Sequence, residues 1–278
     1  MDTEHKYFPE SHERIINQYI IDCRRHAKKV DELEGDDDNR GLNEVGMAQA
    51  GGITYLKPPY NSGDCFTSEI VRTKQTAEMM QVGRWQKGSE IMGLPIPKII
   101  TSKRLGSNEF WGKSKGEFLE KYRQLGGSKG EQWYLDFKDK KPFDEIISPE
   151  EAGASYASII LGLVNDLETT KKLNKASNIS KTLISHDLMM HPFLYYTIGD
   201  QIENDDSLTG NDFMEKIGGP IKSSEGFIIR LEKNEENIIA TLSLRGKEYS
   251  LNLDKLHELV DKYKKNWEEV DDNKQLLP

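Results

Sequence analysis

Arg24, Arg25 and His26 stand directly after the apolar run Tyr19-Ile20-Ile21-Asp22-Cys23, and Lys28 and Lys29 follow closely. The run is short and rich in β-branched residues, the mark of a buried strand. Guanidinium groups beside an imidazole are costly to bury unless an anion meets them. Ligands of open α/β sheets bind outside the carboxyl ends of the strands, which is where these side chains fall. The chemistry on offer is anion capture, and phosphate suits an arginine fork. A second histidine, His186, ends another apolar run, Lys181-Thr182-Leu183-Ile184-Ser185. His191 lies five residues further on, about 140° around a helix. The pair therefore does not face one metal ion, and His191 reads as structural.

Two longer patterns accompany these residues: Leu42-Asn43-Glu44-Val45-Gly46-Met47-Ala48-Gln49-Ala50 and Ser68-Glu69-Ile70-Val71-Arg72-Thr73-Lys74-Gln75-Thr76-Ala77. Alone, Arg72 is better explained as an arginine on the solvated face of an amphipathic helix. Its combination with Arg25-His26-Ala27 reverses that balance. In the first turn of a helix, Arg72 would aim a bidentate fork at the same anion as Arg25.

The combination resembles the histidine phosphatase superfamily, which includes the phosphoglycerate mutases and acid phosphatases. That family opens with a strand ending in Arg-His-Gly, then Leu-Thr-x-x-Gly-x-x-Gln-Ala. It also carries Ser-x-x-x-Arg-Thr/Ala-x-Gln-Thr-Ala and an apolar-apolar-Ser-His, matched here by Leu183-Ile184-Ser185-His186. Mutase-type members have Leu-Asn-Glu before an aromatic residue and a glycine, and Ser107-Asn108-Glu109-Phe110-Trp111-Gly112 stands at that point. The resemblance spans most of 19–231, with 126–147 and 199–220 unlike the family.

The resemblance implies a metal-independent phosphatase with no cofactor, acting on a small phosphorylated substrate or a phosphoprotein. His26 would be the nucleophile, forming a phosphohistidine that water hydrolyses. Arg25, Arg72 and His186 would hold the equatorial oxygens, and the arginines would keep the imidazole of His26 neutral. Glu109 would protonate the leaving alkoxide. Beside Phe110 and Trp111 its carboxyl would be partly dehydrated, which raises its pKa. Three departures stand out. Ala27 replaces the motif glycine. Asp187 follows His186 where glycine is usual, placing a negative charge near the phosphate, where it could cap a helix or orient the imidazole. Glu32 stands where the mutases have asparagine, which favours a hydrolase over a phosphomutase of the phosphoglycerate mutase type. The other alternative is a non-catalytic phospholigand-binding module, against which His26 and Glu109 argue.

Positioning these groups takes a sizeable scaffold. The 278 residues, 36% hydrophobic and 31% charged, suffice for one large α/β domain or two modest ones. A net charge of −9 argues against a general nucleic-acid binder while leaving room for one small basic pocket. Cys23 and Cys65 adjoin apolar runs and read as buried free thiols. No apolar leader occupies 1–17 and no run reaches membrane-spanning length, so the expected setting is cytoplasmic, without membrane partners.

A short helical turn is expected at 11–17, and strand patterns at 19–23, 64–68, 97–101 and 181–186 alternate with helical ones, an α/β arrangement. The resemblance implies a three-layer α/β/α sandwich over 1–278, with a mostly parallel central sheet and an antiparallel edge. Asn43 caps a helix that Pro58-Pro59 ends. A helix at 114–124 carries Glu117 and Glu120 on its solvated face. Residues 126–147 read as irregular, part of an insertion or lid at about 104–150 where specificity would reside. Ser148-Pro149-Glu150-Glu151 starts another helix, with Ala152, Tyr156, Ile159, Ile160, Leu163 and Leu167 facing the core. A hairpin joins 226–231 to 238–243. The amphipathic helix at about 253–269 would dock on the body or form a homodimer contact.

Overall fold

The computed structural model describes residues 18–30, 39–53, 61–86, 98–106, 114–169, 179–203, 208–233 and 237–268. The expected turn at 11–17, Glu32, Pro58-Pro59 and Glu109 lie outside them.

Among the described residues, seven strands form one mixed sheet: β1 (Gln18–Arg25), β2 (Asn61–Thr67), β3 (Ile99–Thr101), β4 (Ile179–Ser185), β5 (Gly226–Lys233), β6 (Ile238–Leu244) and β7 (Lys247–Ser250), in the order β3-β2-β4-β1-β5-β6-β7. The first four are parallel and the last three antiparallel. The α/β class, with its antiparallel edge, is as expected. Alternation along the strands fills both faces. Tyr19, Ile21, Cys23, Phe66 and Leu183 join the larger core, while Cys65 and Ile184 join a smaller one with Ala50, Ala77 and Met80. The smaller core lies beneath α1 (Glu44–Gly52) and α2 (Val71–Gln86). The larger lies against α3 (Lys115–Leu125), α4 (Gly127–Leu135), α5 (Pro149–Thr169), α6 (Asp187–Ile202) and α7 (Gly210–Lys216).

Register fixes the site. In the β1–β4 pair Tyr19 lies opposite Ile179 and Arg25 opposite Ser185, so both strands stop at one level and deliver His26 and His186 side by side. Thr67 lies opposite Ile184, which brings Ser68 to the same edge.

Residues 126–147, read as irregular, contain α4. Gly126 and Gly127 both have positive φ, so this sequence has little helical propensity of its own. Packing supplies what propensity lacks: Tyr134 and Leu135 are buried, and Phe118 of α3 contacts Trp133 and Tyr134. The β6–β7 turn, Arg245-Gly246, has positive φ at both residues, the signature of a tight primed turn. α5 begins as expected, with the Glu151 N–H donating to Ser148 Oγ at 3.1 Å. Pro192 lies inside α6. The terminal helix α8 (Leu253–Glu268) packs on α5, where Lys262 Nζ and the Tyr263 hydroxyl donate to Glu150 at 2.6 and 2.7 Å. Both cysteines are free and buried. No described helix is long and apolar enough to cross a membrane.

Candidate active site

The segment after β1 is held from three directions. The His26 N–H donates to Ser185 O at 3.0 Å, extending the β1–β4 ladder by one residue. The Ala27 N–H donates to Thr76 Oγ1 at 3.0 Å, and that hydroxyl donates to Arg72 O at 2.7 Å. The Lys28 and Leu42 N–H groups donate to Gln49 Oε1 and Gln75 Oε1 at 3.3 and 2.7 Å. Asn43 caps α1, accepting the Gly46 N–H at 2.8 Å, and its amide donates to Lys29 O at 3.1 Å. A Cβ on Gly46 would sit 2.0 Å from Lys28 O, so only glycine fits this approach. The Ala27 side chain is fully buried in the smaller core, so the methyl group lies away from the cavity.

Arg72, the second residue of α2, links the two histidines. Its Nε donates to His26 Nε2 at 3.1 Å and its Nη2 reaches His186 Nδ1 at 3.4 Å. A guanidinium only donates, so both of these ring nitrogens carry lone pairs. The protons fall on the opposite nitrogens: His26 Nδ1 donates to Ala27 O at 2.7 Å and His186 Nε2 to Ser68 Oγ at 2.9 Å. Ser68 passes the chain to Thr73 Oγ1 at 2.9 Å, which donates to Ile70 O at 2.7 Å. The rings lie 5.1 Å apart. Burial, then the Arg72 and Arg25 charges, lowers the pKa of His26 to about 3. Burial and Arg72 likewise push His186 well below its ordinary value. Both imidazoles are neutral at ordinary pH.

Arg25 lines the cavity, with its Nη2 2.6 Å from Asp187 Oδ2 and its Nη1 donating to Ile221 O at 2.6 Å. Asp187 thus pairs with Arg25 rather than with an imidazole, while its Oδ1 accepts the Leu188 N–H at 3.1 Å in the first turn of α6. Burial is the largest single influence and opposes the Asp187 charge, but Arg25 together with His191, His26 and His186 outweighs it and holds the carboxyl far below the carboxylate range. Behind it sits Glu131, 4% exposed, which accepts from the Tyr122 hydroxyl at 3.2 Å. Burial, then the Asp187 charge, raises Glu131 to about 9, so this carboxyl keeps its proton at neutrality. His191 Nδ1 lies 3.2 Å from Glu131 Oε2, and its Nε2 accepts the Ile221 N–H at 3.0 Å. It is a buried structural residue.

These groups open onto a cavity of about 170 Å³ whose lining includes Arg25, His26, Arg72, His186 and Asp187. Four of the five expected site residues therefore meet at one place, and the fifth, Glu109, lies outside the described residues. Gly106 closes one side with φ at +114°, and a Cβ there would lie 2.8 Å from His186 Cδ2. Among the described residues no group of His, Cys, Asp or Glu side chains is arranged to hold a metal ion. Sequence reasoning gave no role to Ser68, Gln75 or Thr76, although all three stand at fixed places in the second motif. Glu131 carried no such signal, sitting in a stretch without periodicity.

No protein-family model and no curated protein matches the sequence. Solved structures resemble the chain at low identity. A protein described as mycobacterial hydrolase 1 is 14% identical, with a TM-score of 0.48 over 84% of this chain and 100% of its own. A phosphoserine phosphatase of Entamoeba histolytica is 15% identical, with a TM-score of 0.46 over 83% and 98%. A phosphoglycerate mutase of Bacillus anthracis is 14% identical, with a TM-score of 0.42 over 88% and 98%.

Proposed function

We propose that this protein is a metal-independent phosphatase of the histidine phosphatase type, cleaving a phosphate monoester through a phosphohistidine on His26. The observation that carries this reading is the bridge of Arg72 between two neutral, buried histidines at adjoining strand ends. His26 Nε2 has its lone pair aimed at Arg72, and an incoming phosphoryl group competes for the same guanidinium. As Arg72 turns to the phosphoryl oxygens, Nε2 attacks phosphorus and the ester P–O bond breaks. The leaving oxygen takes a proton from Glu109, without which an alkoxide is a poor leaving group. The Nδ1–H bond to Ala27 O steadies the positive charge that grows on the ring. Water then attacks phosphorus, the N–P bond electrons return to Nε2, and the Glu109 carboxylate accepts the water proton.

The test compares turnover of an aryl phosphate by the full chain and by His26→Ala. The variant is expected to lose at least about a thousandfold, the scale seen when a nucleophile is removed. A trapped phosphoenzyme should be acid-labile and base-stable, as an N–P bond requires. Equal turnover by the two proteins would overturn the proposal.

A further inference from the structure

We infer that the ion pair of Arg245 and Glu225, which lies outside the cavity, positions Arg25 for the phosphoryl group; this rests on the phosphatase reading, in which Arg25 is a phosphate ligand. The segment 217–225 runs from α7 into β5 alongside the end of β1, where the Arg25 N–H donates to Glu225 O at 2.9 Å and the Ser224 N–H to His26 O at 3.3 Å. Neither Arg245 nor Glu225 lines the cavity. Arg245, in the β6–β7 turn, spends all five of its N–H donors on this segment. Its Nη1 donates to Ile217 O and Gly219 O at 2.7 and 2.8 Å, and its Nη2 to Pro220 O at 2.7 Å. Nε and Nη2 donate to Glu225 Oε1 and Oε2 at 2.7 and 2.9 Å. An ordinary surface ion pair contributes little. This one also gathers three carbonyl oxygens, whose partial charges repel one another without the cation between them.

The grip reaches Arg25 through one peptide unit. The Lys222 N–H donates to Glu225 Oε2 at 2.8 Å, and the carbonyl of the same unit, Ile221 O, accepts from Arg25 Nη1 at 2.6 Å. Carbonyl and N–H point opposite ways in a planar trans peptide, so the carboxylate that fixes the N–H aims the carbonyl at Arg25. Ile221 is fully buried, and its own N–H donates to His191 Nε2 at 3.0 Å, which holds the preceding unit as well. With Asp187 on Nη2, two anchors on different nitrogens fix both the plane and the direction of the Arg25 guanidinium. Loss of Ile221 O leaves one anchor, about which the fork can swing.

The test is a double-variant cycle on the full chain, read as kcat/KM for nitrophenyl phosphate, with circular dichroism confirming that each protein is folded. Arg245 has φ +50°, so Arg245→Gly removes the side chain without straining the turn. It should lower kcat/KM at least about tenfold, the scale of a misplaced contact at a reacting group. Arg245→Lys keeps the charge but not the fork and should not restore the rate. In an Arg25→Ala background Arg245→Gly should change kcat/KM by less than about twofold, because the residue it acts through is gone. Glu225→Gln disturbs only the carboxylate; it should show the same non-additivity with a smaller loss, and it carries the cycle if Arg245→Gly does not fold. A signature independent of turnover comes from nitrogen-edited spectra of the arginine side chains. The Nη protons of Arg25, held in separate environments by two anchors, should merge by rotation in Arg245→Gly. Equal losses in both backgrounds, or Arg25 signals unchanged in Arg245→Gly, overturn the inference. A wild type that hydrolyses no ester would defeat the phosphatase reading instead, and the Arg25 signals would then decide this one.

Discussion

Glu131 allows the buried charge network to be tested without touching the reacting groups. Its carboxyl is raised from 4.5 to about 9 by burial and then by Asp187. Between those values the native chain binds a proton that the unfolded chain releases. The contribution is complete below 4.5, and stability is lost as pH rises through the window, at about 1.4 kcal/mol per pH unit. Glu131→Gln mimics the protonated carboxyl: its carbonyl can accept from Tyr122 and its amide can donate to Asp187. The variant lacks the titration and keeps every other ionisable group. The stability of the variant relative to wild type should therefore grow by about 2.7 kcal/mol from pH 6 to pH 8. Urea unfolding of both proteins at pH 6, 7 and 8 measures the difference directly. A difference constant to within about 0.5 kcal/mol across that range would show that Glu131 is already ionised in the native protein, and the network as drawn would be wrong.

Three further outcomes follow from the same geometry. His26 and His186 should stay neutral at pH 5, where an ordinary histidine is mostly protonated, and nitrogen chemical shifts would report it; a midpoint near 6.5 for either ring refutes the burial argument. Gly106→Ala should cost about 1–3 kcal/mol in thermal or urea unfolding, because an L-residue is strained at φ +114° and the new Cβ meets His186; a neutral substitution counts against the tight approach. Glu109→Gln should slow hydrolysis of an alkyl phosphate about a hundredfold while barely affecting a nitrophenyl ester, whose leaving group needs no proton. Equal losses on both esters would remove Glu109 from the acid role.

Much of the sheet was legible because its strands are apolar runs that stop at charged or polar residues. Asp22-Cys23-Arg24-Arg25 and Leu183-Ile184-Ser185-His186 each end where the structure ends the strand, give or take a residue. The helix start at Ser148-Pro149 was legible for a similar reason, since capping is chemistry between near neighbours in sequence. α4 was not, because its stability comes from Tyr134, Leu135 and the aromatic contacts to α3, all tertiary. The same limit applied to Asp187. Its place beside His186 could be read, but its partner Arg25 is 162 positions earlier and is reached only through the β1–β4 register.

Asp187 also gives the site its particular balance. On the cavity floor Arg25 and Arg72 supply two positive charges, and Asp187 cancels one of them at 2.6 Å from Arg25. With both imidazoles neutral, the floor alone is one charge short of a phosphomonoester dianion. A floor without Asp187 would match the dianion but would leave Arg25 without the carboxylate that fixes its Nη2, a strongly destabilising omission for a partly buried cation. Here that cation is fixed first, and Lys29, Lys115 and Arg123 also line the cavity. None of the three is assigned to the bond-breaking step, so their expected effect is on binding. Substitutions on α3 should raise KM more than they lower kcat, and salt should act in the same direction. A loss confined to kcat in Lys115→Gln/Arg123→Gln, with KM unmoved, would place those cations in the chemical step and contradict that assignment.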